Sequence, residues 1–421
     1  MGTINVAELK PDMVLAEDLR NHNGRFLLAK GEKLTSKHLR IIKLWGVVEA
    51  NIGGVSQKDV EANTIAQLDP VITGEAEKVM RERFCHTDLE YPPVRELFRL
   101  CTLRKAEELS NATERESRQS HDMCESKIDS NQIPKNGAAN IDPYKLIRND
   151  VDLPSLPIVY GQINETIKKP TSSAYDIGNV ISKDAGLSAR LLKIVNSTFY
   201  GFPSKIDTLS RAVTIVGTRQ LSTLALGMNI INVFKDIPSD LIDMKSFWQH
   251  SIGCGIAARI IAGYKNIQNI ERLFVAGLLH DIGRLILYSS IPIHARNALL
   301  KAKYADSLLH KEEHEIMGFD HTKIGGLLLK KWKLPISLEN NVTYHHIPQE
   351  SKDPLEPAIV HLADIMTNAL SMGSSGERFV PPLDPDAWQC IGISANTLAL
   401  AITQIDRQIE EIVQFLFSDE H

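Results

Sequence analysis

The chain has 421 residues, of which 43% are hydrophobic and 24% are charged, and its formal net charge is −5. A chain of this length predicts two or three domains, with a core large enough to need neither disulfides nor a structural metal. The acidic balance argues against a broad nucleic-acid-binding surface, because such surfaces are basic.

Cysteine usage and apolar patterning indicate the compartment. The five cysteines are scattered without a CxxC pair, which is typical of reduced thiols in a cytosolic protein. Residues 1–8 lack a basic leader and an apolar segment, so we expect no signal peptide. The longest apolar stretch, residues 221–234, is interrupted by polar residues and is too short to span a bilayer. We therefore expect a cytoplasmic protein without direct membrane insertion.

Residues 1–55 are predicted to form a small α+β module. Strand-like runs at 13–16 and 26–29 flank an Asn-Gly step, which is the strongest short signal for a β-hairpin. A helix capped by Thr35 and a last strand at 47–52 complete the module.

The rest of the chain is predicted to be helical except for one segment. Residues 56–111 favour a helical connector, and 112–142 favour a flexible linker because they contain almost no large apolar residues. From 143 to 421, apolar residues recur at helical spacing, and the stripe from Leu398 to Leu416 predicts a packed C-terminal helix. The predicted fold class is mainly all-α, with a small N-terminal α+β module.

Four segments occur in order at the start of the helical region. They are Leu153-Pro154-Ser155-Leu156-Pro157, Ile181-Ser182-Lys183-Asp184-Ala185-Gly186-Leu187-Ser188, Leu191-Leu192-Lys193-Ile194-Val195-Asn196-Ser197 and Ala212-Val213-Thr214-Ile215-Val216-Gly217. This succession resembles the HDOD family, signalling-associated relatives of the HD phosphohydrolases, over residues 146–371. The resemblance implies an HD-type helical bundle. Asp184 suits a helix start and Asn196 a helix end, so we expect these segments to be structural.

The N-terminal module carries a second resemblance. Residues 9–18 and 31–35 are similar to the module that often precedes HD-GYP phosphodiesterase domains.

Histidine and aspartate residues follow one another in the order H…HD…H…HH…D. They are His250, His280, Asp281, His321, His345, His346 and Asp364. The order resembles the metal constellation of the two-metal HD phosphohydrolases. That resemblance implies one metal held by His250, His280 and Asp364, and a second metal held by His321, His345 and His346. Asp281 would bridge the two metals.

The ligand types indicate which metals would bind. Imidazoles combined with carboxylates suit Fe or Mn, and also Zn, Co or Ni, whereas Mg²⁺ prefers an all-oxygen shell. A shared carboxylate would offset the repulsion between two neighbouring cations. Buried imidazoles without a metal would each need a hydrogen-bond partner. We therefore predict two divalent transition-metal ions as cofactors.

Four residues are candidates for catalysis. The resemblance implies that His280 and Asp281 would act with the metals to activate water. Arg284 and Lys323 are candidates for contacting the phosphate of a substrate. Whether the protein is an enzyme stays open at this stage.

The pattern departs from the active relatives at three positions. No Gly-Tyr-Pro motif follows His346, so a cyclic di-GMP substrate is in doubt. Ser246 stands where some relatives have a Glu for a third metal, and Arg284 stands where the hydrolases usually have Lys. Arginine can still hold a phosphate, but as a planar fork and not as a point charge.

Other histidines fall outside this set. His310 and His314 lie four residues apart and could form a metal clip, but the surrounding residues predict a solvated face: Glu312, Glu313 and Glu315. His361, one helical turn before Asp364, is either a partner of the ligands or a core residue.

Three functions remain open from the sequence. The first is a metal-dependent phosphohydrolase or phosphodiesterase acting on a nucleotide, including a cyclic dinucleotide. The second is a non-catalytic signalling module that binds a protein or a nucleotide, with a structural or sensory metal. The third is redox or oxygen sensing by a di-iron site, which a histidine-rich centre permits. The sequence leaves the substrate, the protein partner and the oligomeric state open.

Overall fold

The structure is a computed structural model. It describes residues 2–6, 9–20, 26–44, 47, 49–53, 69–116, 141–148, 158–169, 171–202, 204–231, 233–234 and 237–417. The chain falls into two compact units. One comprises Met1–Ser126 and Ile393–Gln404, and the other comprises Lys127–Gly392 and Ile405–His421.

Short antiparallel strands organise the first unit. Strand β1 (Gly2–Asn5) pairs with β4 (Glu49–Ile52), with Gly2 opposite Ile52. Strand β2 (Leu19–Arg20) pairs with β3 (Phe26–Leu28), and helix α1 (Ser36–Leu44) lies between β3 and β4 in the sequence. The strand predicted at 47–52 is therefore confirmed over its last four residues.

Other predictions for this module are corrected or fall outside the described residues. Residues 13–16 do not form a continuous strand, because Val14 and Leu15 make only isolated bridges, to Lys33 and Ile52. The Thr35 cap is confirmed, since its hydroxyl oxygen accepts from the His38 amide at 3.2 Å. The Asn-Gly step lies outside the described residues.

The core of the module is apolar. Ile4, Ile42 and Ile52 are fully buried, and they cluster with Leu15 and Leu34. Burying each such side chain stabilises the fold by about 1.5–3 kcal/mol. The two strand pairs and α1 are thus held together by one small core.

Two long helices follow the module. Helix α2 (Pro70–Arg83) begins at the Asp69 cap, whose carboxylate accepts from the Val71 amide at 2.8 Å. It packs against α3 (Pro92–Glu116), and the rings of Phe84 and Phe98 meet edge to face at 5.3 Å. Helix α3 continues into the first residues of the predicted linker, and residues 117–140 lie outside the described part.

The described secondary-structure elements of the second unit are all helices. Its helices are α4 (Pro143–Arg148), α5 (Ile158–Lys168), α6 (Ala174–Ile181), α7 (Ala185–Val195), α8 (Leu209–Val216), α9 (Thr218–Ile230), α10 (Met244–Tyr264), α11 (Ile270–Leu279), α12 (Ile282–Ser290), α13 (Pro292–Tyr304), α14 (Leu309–Met317), α15 (His321–Lys331), α16 (Ile336–Thr343), α17 (Leu355–Ala369) and α18 (Pro385–Ile391), with a 3₁₀ turn at Pro348–Glu350. The predicted C-terminal helix is present as α19 (Thr397–Phe417), which spans residues of both units. The chain is therefore mainly all-α with small N-terminal strands, as predicted.

The helix signals in the family-like segments work as predicted. Asp184 caps α7 by accepting from the Leu187 amide at 2.9 Å, and Asn196 closes the same helix. Leu187 and Leu191 are fully buried. Residues 153–157 lie outside the described part.

Close backbone contacts bring the later helices together. A Cβ on Gly277 of α11 would lie 2.7 Å from the Gly255 amide nitrogen of α10 and 2.8 Å from the Cys254 carbonyl. A Cβ on Gly283 of α12 would lie 2.0 Å from the carbonyl oxygen of His321, the first residue of α15. Only glycine permits these approaches, and each lies within a few residues of a predicted metal ligand.

One apolar stretch, Ile270–Ser290, is long and apolar enough to cross a membrane by length and composition, and 89% of its apolar 18-residue window is buried inside the fold. It comprises α11 and α12, which carry part of the candidate site at their junction. Buried core helices of folded domains can have the same length and apolar composition.

Candidate metal centre

Three of the seven predicted ligands lie in helices, and the other four lie at helix ends. His250 lies within α10, Asp364 within α17, and His321 begins α15. His280 and Asp281 occupy the junction of α11 and α12, and His345 and His346 directly follow α16. All are buried except His346, which is half-buried. Residues that are up to 114 positions apart in the sequence thus lie together in one site.

The first predicted triad is formed. The Nε2 atom of His250 lies 3.2 Å from Oδ1 of Asp364, and Nε2 of His280 lies 3.4 Å from the same oxygen. One ligand atom from each of the three residues lies within 4.8 Å of the other two. These atoms could therefore share one ion.

The second predicted triad is formed beside it. His321, His345 and His346 also offer ligand atoms within 4.8 Å of one another, and Nε2 of His321 lies 3.4 Å from Nε2 of His345. Three imidazole nitrogens suit a borderline transition metal better than Mg²⁺.

Asp281 lies between the two triads, and its carboxylate oxygens face different sides. Oδ2 lies 3.2 Å from Nε2 of His280 and 3.8 Å from Nε2 of His250. Oδ1 lies 2.9 Å from Nε2 of His321 and 3.9 Å from Nε2 of His345. The carboxylate is thus arranged as the sequence prediction of a bridging ligand requires.

Backbone carbonyls orient two of the rings. His280 donates from Nδ1 to the Gly277 carbonyl at 2.7 Å, and His345 donates from Nδ1 to the Val342 carbonyl at 2.8 Å. Because a carbonyl only accepts, the proton lies on Nδ1, and Nε2 faces the centre of the cluster. A histidine ring held in this way is preorganised to bind a metal through Nε2.

Buried ring nitrogens without a hydrogen-bond partner also indicate that the cluster fits a metal. The Nε2 atoms of His250, His280 and His346 are buried and make no aligned hydrogen bond with any residue of the described ranges. Leaving such groups unpaired costs about 1–3 kcal/mol each. A cation among these nitrogens would satisfy them.

The electrostatics of the cluster favour an ionised carboxylate. Burial raises the pKa of Asp281, but Arg284, His280 and His321 outweigh burial and hold it well below its ordinary value of 3.8. Burial, together with the nearby rings of His280 and His321, lowers the pKa of His345 to about 3. His345 is therefore neutral at physiological pH, which is the form that binds a metal.

Two acidic residues next to each other are buried, contrary to the sequence prediction. Glu312 is 5% exposed and Glu313 is 2% exposed, although both were predicted on a solvated face. Glu313 accepts from Nδ1 of His321 at 2.6 Å and from Nε of Arg284 at 3.2 Å. The sequence signal that points to it is weak: an acidic residue eight positions before a predicted ligand.

Arg284 lies inside the cluster and is 2% exposed. Its Nη1 atom lies 3.0 Å from Oδ2 of Asp281 and 2.5 Å from the hydroxyl oxygen of Ser375. Its guanidinium therefore contacts Asp281, Glu313 and Ser375.

The structure does not bring Lys323 into the cluster. Lys323 is exposed on the first turn of α15, and its Nζ lies 5.7 Å from the centre of the Tyr144 ring. The predicted catalytic set is thus divided between three buried residues and one exposed residue.

The remaining histidines take different places. The His310 ring stacks on His346 at 4.2 Å, whereas His314 is exposed. His361 donates from Nδ1 to the His345 carbonyl at 2.8 Å, and its Nε2 accepts from the Asp384 amide at 3.1 Å. His361 is therefore a partner of the ligand segment, one of the two roles predicted for it.

Comparisons with known proteins concern the helical part of the chain. Residues 153–348 match the family model of the HDOD domain. An uncharacterized protein of Treponema pallidum (strain Nichols) is 27% identical over 217 residues, which cover 50% of this chain and 41% of the relative. The chain thus spans less than half the length of that curated relative. Asp364 and Ser375 lie beyond the matched residues.

Solved structures show the same fold. A crystal structure of an HDOD domain protein of unknown function from Geobacter sulfurreducens has a TM-score of 0.54 at 23% identity, over 65% of this chain and 97% of that chain. A protein of Shewanella amazonensis SB2B, described as a candidate phosphohydrolase, has a TM-score of 0.52 at 22% identity, over 64% of this chain and 97% of that chain. The recognition from the sequence is confirmed: residues 153–348 of this chain carry an HDOD domain.

Proposed function

We propose that this HDOD protein holds two divalent transition-metal ions, Fe or Mn in first place, and hydrolyses a phosphoester bond of a nucleotide. The observation that supports the proposal is the position of Asp281. Its two carboxylate oxygens face separate histidine groups, at 3.2 Å from His280 and 2.9 Å from His321. Such a carboxylate can bridge two cations and offset their repulsion.

The chain's own residues would hold and orient this site. His250, His280 and Asp364 would bind one ion, and His321, His345 and His346 would bind the other. When bound, the ions would supply an activated water and stabilise the charge that develops on a phosphoryl group. The Gly277 and Val342 carbonyls hold two of the rings, and burial excludes bulk water from the ligand atoms.

The site chemistry and the family context support a phosphoester of a nucleotide as the substrate class. A two-metal site suits in-line displacement at phosphorus, and the Shewanella neighbour is described as a candidate phosphohydrolase. A nucleotide, including a cyclic dinucleotide, fits a signalling role. Lys323 could contact a phosphate only outside the buried cluster, because its side chain is exposed.

A second function is favoured by one observation. Arg284 is held between Asp281, Glu313 and Ser375 and is not open to a phosphate. A guanidinium occupied in this way suits a non-catalytic signalling module, in which the metal would be structural or sensory and the output would be a protein or nucleotide contact.

The experiment begins with elemental analysis of the anaerobically purified chain. Wild type is expected to carry about two transition-metal ions per chain. Asp281→Asn is expected to lose metal from both triads, because the amide cannot bridge two cations as a carboxylate does. His314→Ala is the matched control, since His314 is exposed in the same unit, and it is expected to keep the wild-type content.

Turnover of a panel of nucleotides, cyclic dinucleotides and bis(p-nitrophenyl) phosphate then separates the two functions. Hydrolysis by wild type and the control, but not by Asp281→Asn, supports the hydrolase. A metal-loaded wild type that hydrolyses none of the panel favours the signalling module. A wild type that stays empty after reconstitution with iron and manganese overturns the metal proposal.

A further inference from the structure

We infer that Glu313 is a positioning residue of the metal centre: one buried carboxylate holds the His321 ring and the Arg284 guanidinium, and through them it orients both sides of Asp281. The inference rests on the metal site proposed above and adds a residue that is neither in the predicted ligand set nor next to it in sequence.

The first contact fixes a ring. Oε2 of Glu313 accepts from Nδ1 of His321 at 2.6 Å and from the His321 amide at 3.1 Å. This contact on Nδ1 turns Nε2 of the ring toward Oδ1 of Asp281, 2.9 Å away. A carboxylate behind a histidine fixes its tautomer and makes the ring a better ligand.

The second contact fixes the bridging carboxylate. Oε1 of Glu313 accepts from Nε of Arg284 at 3.2 Å, and Nη1 of Arg284 lies 3.0 Å from Oδ2 of Asp281. Each oxygen of Glu313 is therefore linked to one oxygen of Asp281, Oε2 through His321 and Oε1 through Arg284. A displacement of Glu313 would alter both.

Burial makes these contacts strong and specific. Glu313 and Arg284 are each 2% exposed, and His321 is fully buried. An ionised carboxylate at such a depth requires compensating donors. Helix α14 supplies this carboxylate from a position that packs against the site, although its neighbours Lys311 and His314 are exposed.

The test compares Glu313→Gln with Glu312→Gln. Glutamine keeps the size of the side chain but offers one acceptor and one NH₂ donor. It therefore cannot accept from both His321 and Arg284. Glu312 is a matched control because it is buried in the same helix but pairs with Lys301, at 2.9 Å. Glu313→Asp, which keeps the charge and shortens the reach, replaces Glu313→Gln should the latter not fold.

Two readouts are measured on the full-length chain. The metal-free protein is titrated anaerobically with Co²⁺ and followed by absorption. Histidine tautomers are followed by NMR of the metal-free protein labelled with ¹⁵N-histidine, with His321 assigned by substitution. We expect Glu313→Gln to bind one of two Co²⁺ equivalents about 10–100-fold more weakly than wild type. We also expect it to lose the fixed Nδ1–H signal of His321, with Glu312→Gln unchanged in both.

The outcomes separate this inference from the proposed function. Glu313→Gln that matches Glu312→Gln in both readouts overturns the positioning role. A wild type that binds two Co²⁺ ions, one of them more weakly in Glu313→Gln, yet hydrolyses nothing, supports the positioning role while the hydrolase fails. A wild type that binds no Co²⁺ overturns the metal proposal, and the His321 signal then decides: its loss in Glu313→Gln supports the role, and its persistence overturns it.

Discussion

Gly283→Ala is the substitution for which the structure makes its sharpest prediction. An added Cβ would lie 2.0 Å from the His321 carbonyl oxygen and 2.8 Å from the Gly325 amide nitrogen. Both are backbone atoms of α15, so the clash cannot be relieved by a side-chain rotation. Helices α12 and α15 would have to separate by roughly 1 Å in a close-packed interior.

Two opposing effects set the size of the change. Alanine is a better helix former than glycine by up to about 1 kcal/mol. Overpacking of a core usually costs about 1–3 kcal/mol, and here the obstacle is backbone, so the higher part of this range applies. We expect a net loss of about 1–2 kcal/mol, which lowers the midpoint of thermal unfolding by roughly 2–8 °C in a unit of this size.

The same movement reaches the candidate metal centre. Asp281 directly precedes α12, and His321 begins α15, so separating the helices lengthens the 2.9 Å contact between them. We expect Gly283→Ala to retain less metal than wild type.

The matched control is Gly263→Ala. Gly263 lies in α10, and a Cβ there would meet no atom within 4 Å, so helix propensity alone should act and the unfolding midpoint should stay level or rise. Thermal unfolding of the full-length variants, followed by circular dichroism, provides the comparison. If Gly283→Ala unfolds at the temperature of Gly263→Ala and keeps its metal, the close-approach argument is refuted.

Two further predictions concern charge inside the site. In metal-free protein, stability should peak near pH 6.5, as read from urea midpoints across pH. Burial and neighbouring cationic rings lower the pKa of His345 to about 3, so its contribution is lost as pH falls below its ordinary value of 6.5. Burial also lowers the pKa of His321, but Glu313 and Asp281 outweigh burial and raise it to about 9. The stability that protonated His321 contributes is therefore lost as pH rises from 6.5 through 9. A urea midpoint that rises steadily with pH would contradict this account. Arg284→Lys should lower the stability of the metal-free protein by about 1.5–3 kcal/mol, because one ammonium cannot replace both Nε and Nη1; an unchanged urea midpoint would show that the two contacts contribute little.

Helix signals and ligand types could be predicted because they are local or carried by residue type. The cap at Asp184 acts within one turn, and the stripe of Leu187 and Leu191 repeats along one helix. The order of histidines and aspartates resembles that of the HD phosphohydrolases, and this resemblance implied two triads and a residue between them. In the structure, His280 and Asp281 lie at the centre of that arrangement.

Long-range pairing could not be predicted from the same patterns. Strand β1 pairs with β4, almost fifty residues later, and no local signal in Gly2–Asn5 specifies this partner. The run at 13–16 has strand-like residues, but its neighbours in space allow only isolated bridges at Val14 and Leu15. β propensity depends on the partner strand and on burial.

The sequence by itself determined the helical class of this protein, the HDOD resemblance and the residues that can bind metal, because periodicity and residue chemistry are properties of the chain. Only the tertiary structure decided which charged residues lie at the candidate site. Glu313 lies among charged residues and was predicted in solvent, but the structure buries it. Lys323 was predicted at the substrate, but the structure leaves its side chain exposed. The burial of a side chain depends on which helices cover it, and that is set by backbone contacts such as Gly283 against His321, not by the neighbours in sequence.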